Sequence, residues 1–536
     1  MKKSVFAGVG VILGIIAFCL VFIRLEPATT TNIRTYQHEE NEKADSLIGT
    51  TEVGADGEVS SAEFVTHLPL FILDVDGQEF PNIYKSTEDE SKQYRDENIT
   101  DPYISATITL IDNDNSQNHI TDEAEFVNHG KIKIRGNSSR NFPKKQYGFK
   151  LLDENGEELE KSLLGMEADE DWVLCDSIVD LTLMRNYLVY CVGGQIFPYT
   201  PEAKFCEVVM KEGDSYNYLG VYLLTETVKK AEGRVDIETF KENDRALSYL
   251  ICRDRYNYTV PMLSTWASDS QICYGYFSVK YPKETELTEE IKGRIEEELS
   301  TVEQVLYSDD MSVFRTYSQY LDVDSFVDYF VINEYFENYD AGLHSTYYYK
   351  DSARKLTIGP LWDYDNCLDN YREGLANSEY TSFVGQPWFE KLLQDPVFVD
   401  KVCRRYEELR KTILSDAYIE TFIDETADYL GNAAYRDRSR WYEAYQAGYS
   451  LKEFADVHGL TVNRTRDSYE EELLRFKDTV QMHANWMDDN LYPTLYAFVR
   501  EDVSDNGVAF RSALAIVLMI IFLVSIVLVN RVRSGR

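Results

Sequence analysis

An α+β fold with two lobes is predicted by three features of the 536-residue sequence. The first half alternates short β-rich runs with polar turns, the second is a succession of amphipathic helical patterns, and one hairpin interrupts those helices. Outside them lie two uncharged apolar runs, Ser4 to Ile23 and Ser512 to Asn530, each long enough to span a bilayer as a helix. Basic residues lie before the first (Lys2, Lys3) and after the second (Arg531, Arg533, Arg536). The positive-inside rule therefore puts both termini in the cytoplasm and the large domain outside. The expected organisation is an N-terminal transmembrane helix (1–26), a flexible tether rich in Thr, Glu and Ser (27–64), a β-rich lobe (65–285), a mainly helical lobe (286–495) and a C-terminal transmembrane helix (512–530). The implied location is a cell membrane, crossed twice.

Composition narrows the partners. A net charge of −38 repels nucleic acid and anionic membrane surfaces, so binding to nucleic acid is excluded as a role. The same field attracts cations and basic partners, or serves only solubility. The cysteines outside the first span show no CxxC and no zinc spacing. They read as small core residues, with Cys252 and Cys273 a candidate disulfide pair.

In chain order, strands are expected at LPLFILDV, ISATITLI, KIKIRG and QYGFKLL, from Leu68 to about residue 152. Alternation in Lys131-Ile132-Lys133-Ile134-Arg135 marks a half-buried antiparallel strand. Ser177 to Ile196 is helical, with Leu181, Met184, Leu188 and Cys191 or Val192 on one face. Strands return at Phe205–Met210, Tyr218–Thr225, Leu247–Ile251 and Tyr274–Val279. Helices follow at Glu289–Leu306 and from Asp324, an expected N-cap, and then at about 388–411, 416–430, 438–447 and 466–489.

Two places carry chemistry. Gly136-Asn137-Ser138-Ser139 joins two strands and is flanked by Arg135, Lys144 and Lys145. Small residues let backbone N–H groups approach an anion, and flanking cations suit a triphosphate, although a polar hairpin turn has the same composition. The second place is Asp324 to Asn370: an apolar helix, Asp340 in a loop, and then a hairpin with a polar turn at Asp351–Arg354 that ends in Asp363-Tyr364-Asp365. Centring that turn between Asp351 and Ser352 pairs residues whose numbers sum to about 703, which sets Asp340 opposite Asp363. Two carboxylates at short range call for a cation or a shared proton, unless the hairpin ends fray into water. A phosphate loop with lysines, followed by two acids on a hairpin, is the order of parts used in phosphoryl transfer.

Those residues also resemble a known family. RGNSSRNFPKKQYGFKL (135–151), LMRNYLVY (183–190), YLGVYLLTETVKK (218–230), FSVKYP (277–282) and ENYDAGLHSTYYYK with GPLWDYDNCLDN are similar, in order, to segments of the CotH spore-coat kinase family. The resemblance covers about residues 66 to 490. It implies an atypical protein-kinase-like fold that uses ATP and Mg²⁺ (or Mn²⁺) to phosphorylate Ser or Thr of a protein substrate. By motif position, Asp340 matches the catalytic acid, Asp363 the metal-binding acid and Asp365 a second metal contact. Lys145 or Lys144 matches the phosphate-contacting lysine; Arg135, Ser138 and Ser139 match the nucleotide loop; and Glu226 lies on the strand beside the nucleotide. One departure stands out. His344-Ser345 replaces the family's His-Asn, at the offset where kinases place the amide that holds a second magnesium. The alternative is a non-catalytic, kinase-like or Ca²⁺-binding surface module of a cell or spore coat, with Asp363-x-Asp365-x-x-x-Asp369 as the oxygen ligands. A glycosidase with Asp340 and Asp363 as its acid pair leaves the Gly/Ser loop unexplained.

Overall fold

The computed structural model describes residues 52–500, apart from 87–92, 96–98, 100, 114–116, 137, 176–177, 242–245, 257–259, 273–274, 339, 353, 371–380, 449–463 and 465. Both apolar runs expected to cross a membrane lie outside the described residues, and among those residues no helix is long and apolar enough to do so. Residues 52–64, expected in the tether, are folded instead. Val53 and Phe64 are buried against Tyr218, and Glu58–Val59 (β1) pairs with a later strand. Two apolar side chains in an otherwise polar stretch suffice to anchor it.

Seven strands close a ring. They are β2 (Leu70–Asp74), β3 (Ile104–Ile111), β4 (Phe126–Ile134), β5 (Tyr147–Leu151), β6 (Asp171–Cys175), β7 (Ala203–Glu212) and β8 (Ser215–Glu226). Going round, β8 pairs with β6, then β5, β4, β3, β2 and β7, and β7 pairs back to β8. Neighbours are antiparallel except β7 and β2, which are parallel. β6 was not foreseen: DWVLC is short, and acidic residues precede it. Period-two alternation sends Ile132, Phe149, Leu151, Trp172, Leu174 and Leu224 into one interior core. It leaves Lys133 and Arg135 on the opposite face of β4.

A second sheet runs β10 (Tyr276–Tyr281), β9 (Tyr249–Asp254), β11 (Thr346–Lys350), β12 (Thr357–Ile358). Strands from both sides of residue 285 pair here. Cys252, on β9, is a buried free thiol; Cys273, its candidate partner, lies outside the described residues.

Among the described residues the helices of nine residues or more are α1 (Arg185–Gly193), α2 (Glu289–Leu306), α3 (Val323–Tyr335), α4 (Pro396–Arg410), α5 (Asp416–Leu430), α6 (Asn432–Ala447) and α7 (Tyr469–Tyr496). α2 and α5 begin and end at the predicted residues, because Thr288 and Ser415 cap them through Ile291 N and Tyr418 N. α1 is shorter than the periodicity suggests. Asp180 accepts from the backbone N–H of Thr182 and of Arg185, which folds the preceding segment into turns. α3 is buried nearly all round, from Phe326 to Tyr335, as its apolar sequence requires; its N-cap position is Asp322 rather than Asp324.

α6 is clamped to the closed sheet by two neighbouring residues of opposite charge. The Arg436 guanidinium makes a two-pronged pair with Glu207 on β7 (Nε–Oε1 2.9 Å, Nη2–Oε2 2.6 Å). Asp437 accepts from the Lys144 ammonium (2.7 Å) and from Val221 N (2.8 Å). Gly220 makes this approach feasible: its φ is +120°, and a Cβ there would stand 2.3 Å from the Asp437 carboxylate.

Candidate active site

α3 delivers the first acid. Beyond its last turn, Glu337 takes a left-handed φ of +46° and Asn338 N returns to Asn333 O (3.0 Å), bringing the chain round to Asp340. The Asp340 carbonyl then accepts from Leu343 N and His344 N (3.2 and 2.7 Å), and this turn feeds the chain into β11. The hairpin is present, but its register differs from the count. Tyr348 faces Ile358 and Tyr349 faces Thr357, so partners sum to 706. The turn is longer than centring on Asp351 and Ser352 assumed, because β11 ends at Lys350 and β12 begins only at Thr357. That shift of three moves the partner of Asp340 from Asp363 to Asn366, whose Nδ2 donates to Asp340 Oδ2 at 2.9 Å. Each acid thus acquires its own neighbours.

Asp363 is half-buried and held from several sides. Ser345 Oγ donates to its Oδ2 (2.9 Å), its backbone N–H donates to Tyr190 Oη (3.3 Å), and its carbonyl accepts from Asn338 Nδ2 (3.4 Å). The next residue is fixed as firmly: Tyr364 N donates to Asn186 Oδ1 and Tyr364 Oη to Asn333 Oδ1, both at 2.7 Å. α1 therefore positions the acid-bearing segment through Asn186 and Tyr190. Ser345 and Asp363 both lie in the left-handed region, at φ +49° and +68°. Such backbone costs about 1–3 kcal/mol per residue and persists where the surroundings over-determine it.

Burial raises the Asp363 pKa above the ordinary carboxylate range, with Asp254 adding to the rise; the Ser345 hydrogen bond and the charges of Arg135 and Arg255 oppose it. Arg135 comes from the closed sheet. It extends from the end of β4, and its guanidinium lies 5.3 Å from the centre of the Trp362 ring, which also stacks on Tyr190 (6.2 Å, 22°). Lys133 shares that polar face. A Cβ at Gly148 would lie 3.6 Å from the Lys133 side chain and 3.9 Å from that of Arg135. His344, its Nδ1 3.7 Å from Asp254, is pushed down to about pKa 4, mainly by burial and then by the Arg255 charge, so it is a neutral imidazole near pH 7.

The Gly/Ser loop folds onto itself. Gly136 has φ +97°, and a Cβ there would collide with Ser139 Oγ; Ser138 to Asn141 form one 3₁₀ turn. The Lys145 ammonium donates to the carbonyls of Arg140 and Phe142 (2.7 and 2.6 Å), tying the loop closed. Lys144 is buried with Asp437, so of the two lysines left open by the sequence, Lys145 is the one at the loop. Glu226 ends β8, buried, accepting from Glu202 N (3.0 Å) with Arg234 4.0 Å away. Asp365 is half-buried two residues beyond Asp363, and its carbonyl accepts from Asn370 Nδ2 (2.6 Å).

Among the described residues no three His, Cys, Asp or Glu side chains converge as a metal cage. Mg²⁺ does not need one, since it takes one or two carboxylates and completes its octahedron with phosphate and water oxygens. The half-buried Asp363 carboxylate, with half-buried Asp365 two residues on, fits that donor set. A Ca²⁺ chelate through Asp369 does not fit, because the Asp369 carboxylate is bound to Arg475 (2.7 Å).

Fold and site together define a mixed α+β protein with two separately held acids, of which Asp363 feels the charge of Arg135 at the end of β4. A family profile described as CotH kinase protein matches residues 132–487, about two thirds of the chain, and the chain belongs to the CotH kinase family. No match is found among curated proteins. The count from the hairpin turn passed over Asn338 and Asn366. Their signal was an amide directly after an acid, in Glu337-Asn338 and Asp365-Asn366.

Proposed function

We propose that this protein is a protein kinase that transfers the γ-phosphate of ATP to Ser or Thr hydroxyls of a protein substrate. The observation that carries this reading is the separation of the two acids: Asp340 is held by Asn366, whereas Asp363 is held by Ser345, Tyr190 and Asn338 and faces Arg135. A glycosidase also sets its two acids in different surroundings, but it leaves the arginine beside Asp363 and the Gly/Ser loop unexplained, whereas phosphoryl transfer needs one metal-holding acid and one acid at the acceptor hydroxyl. Asp363 would hold Mg²⁺ or Mn²⁺, with Asp365 beside it, and ATP when bound supplies the electrophilic γ-phosphorus. Arg135 and Lys133 offer positive charge to the phosphates. Asp340 orients the acceptor hydroxyl and takes its proton as the new O–P bond forms and the bond to the ADP oxygen breaks. Neutral His344 is left to structure.

The substrate is expected to be basic around its acceptor, in keeping with the −38 charge of the chain. Anchoring in a cell membrane, with the kinase outside, is proposed on the two apolar runs and their flanking basic residues. The test is transfer of labelled γ-phosphate to Ser/Thr peptides with basic flanks, in Mg²⁺ or Mn²⁺. Asp340→Asn should lower turnover by roughly 10²–10⁴-fold. Transfer that survives this change, or no ATP-dependent labelling by the wild type, overturns the proposal.

A further inference from the structure

The departure at Ser345 removes the amide that would hold a second metal ion, yet two buried amide oxygens stand unused on the segments that carry Asp340 and Asp363. Asn338 and Asn366 are 1% and 8% exposed, and the Oδ1 of each has no hydrogen-bond partner. Both nitrogens are committed: Asn366 Nδ2 donates to Asp340 Oδ2, and Asn338 Nδ2 donates to the carbonyl of Asp363. The orientation of Asn366 is dictated by chemistry, since reversing it would set an amide oxygen against a carboxylate oxygen. Its free oxygen, on the same planar amide, therefore lies beside Asp340, on the segment that carries Asp363. A buried amide oxygen without a donor is costly, and hard cations take such oxygens as ligands. Ser345, for its part, gives its hydroxyl proton to Asp363.

We infer that Asn366 supplies the amide oxygen for a second divalent cation of the nucleotide complex, doing from the acid-bearing segment what an asparagine at position 345 does in other kinases. This rests on the kinase reading above and assigns it one more ligand.

The experiment counts Mn²⁺ ions bound to the full-length chain, by the electron paramagnetic resonance of free Mn²⁺, in saturating non-hydrolysable ATP analogue. The wild type should hold two. Asn366→Ala should hold one, the affinity of the second site falling by about tenfold or more. Asn366→Asp keeps an oxygen ligand but loses the N–H donated to Asp340, and should still hold two. Ser345→Asn combined with Asn366→Ala should regain the second ion. One ion in the wild type, two ions in Asn366→Ala, or an Asn366→Asp variant that behaves like Asn366→Ala overturns the inference while leaving the kinase reading in place. Failure of the analogue to bind the wild type at all, measured first by its displacement of a fluorescent nucleotide, overturns both.

Discussion

Replacing Lys144 with methionine removes an ammonium from a site with no route to solvent. Both Lys144 and Asp437 side chains are fully buried in their pair at 2.7 Å. The lysine also donates to Val221 O (2.9 Å) and lies 4.9 Å from the centre of the Tyr222 ring. In the variant the Asp437 carboxylate keeps the Val221 N–H and the Tyr445 hydroxyl but has no cation. Breaking a buried pair by removing one partner costs about 3–5 kcal/mol, because the remaining charge cannot reach water. The assay is urea unfolding of the single and double variants in a thermodynamic cycle. Lys144→Met and Asp437→Leu should each be strongly destabilised. The double variant should be less destabilised than the sum of the two, since an apolar pair leaves no orphaned charge. At temperatures where Lys144→Met is folded, its nucleotide affinity should stay within about twofold of the wild type, as expected of a residue that does not contact ligand. Unchanged stability combined with lost nucleotide affinity would refute this reasoning and make Lys144 the phosphate ligand.

Tyr190→Phe removes the acceptor for the backbone N–H of Asp363 but keeps the ring stacked on Trp362; a loss of about 1 kcal/mol, roughly fivefold in kcat/KM, is expected from steady-state kinetics. His483, buried beside Glu334 and Glu337, is held down to about pKa 4 mainly by burial, with its Nε2 on the Glu334 carbonyl at 2.8 Å. Its folded pKa lies below the unfolded value of 6.5, so the unfolded chain binds the extra proton between those two pH values. Stability relative to His483→Gln should therefore fall by about 3 kcal/mol as pH drops from 6.5 to 4. Parallel unfolding curves across that window would contradict it.

Much of the fold was legible because it depends on local pattern. Helices with a clean apolar period and a Ser or Thr cap, such as α2 and α5, are set by information within a few residues. The all-round apolar sequence of α3 announced its burial in the same way. What escaped depends on pairing over long sequence distances. Arg436 and Asp437 lie just ahead of the helix expected at about 438–447, which in fact begins at Asn432, and only their sheet partners, Glu207 and Lys144, reveal a clamp. The closure of the ring by β7 against β8 and β2 is likewise invisible in any one strand. In the site, the acids were found because acidic residues beside apolar runs stand out, whereas their pairing was misplaced by three residues. A turn centre assigned from composition carries that much latitude, and one slip reassigns every partner. The amides at 338 and 366 needed the register before they acquired meaning.

The division of labour between the two acids is tested most directly by measuring nucleotide binding and phosphoryl transfer on the same preparations of Asp340→Asn and Asp363→Asn. Asp340→Asn should bind the Mn²⁺ complex of a non-hydrolysable ATP analogue as the wild type does while losing transfer. Asp363→Asn should lose metal-dependent binding and, with it, transfer. Equal loss of binding in both variants, or binding retained in both, would contradict separate roles for Asp340 and Asp363.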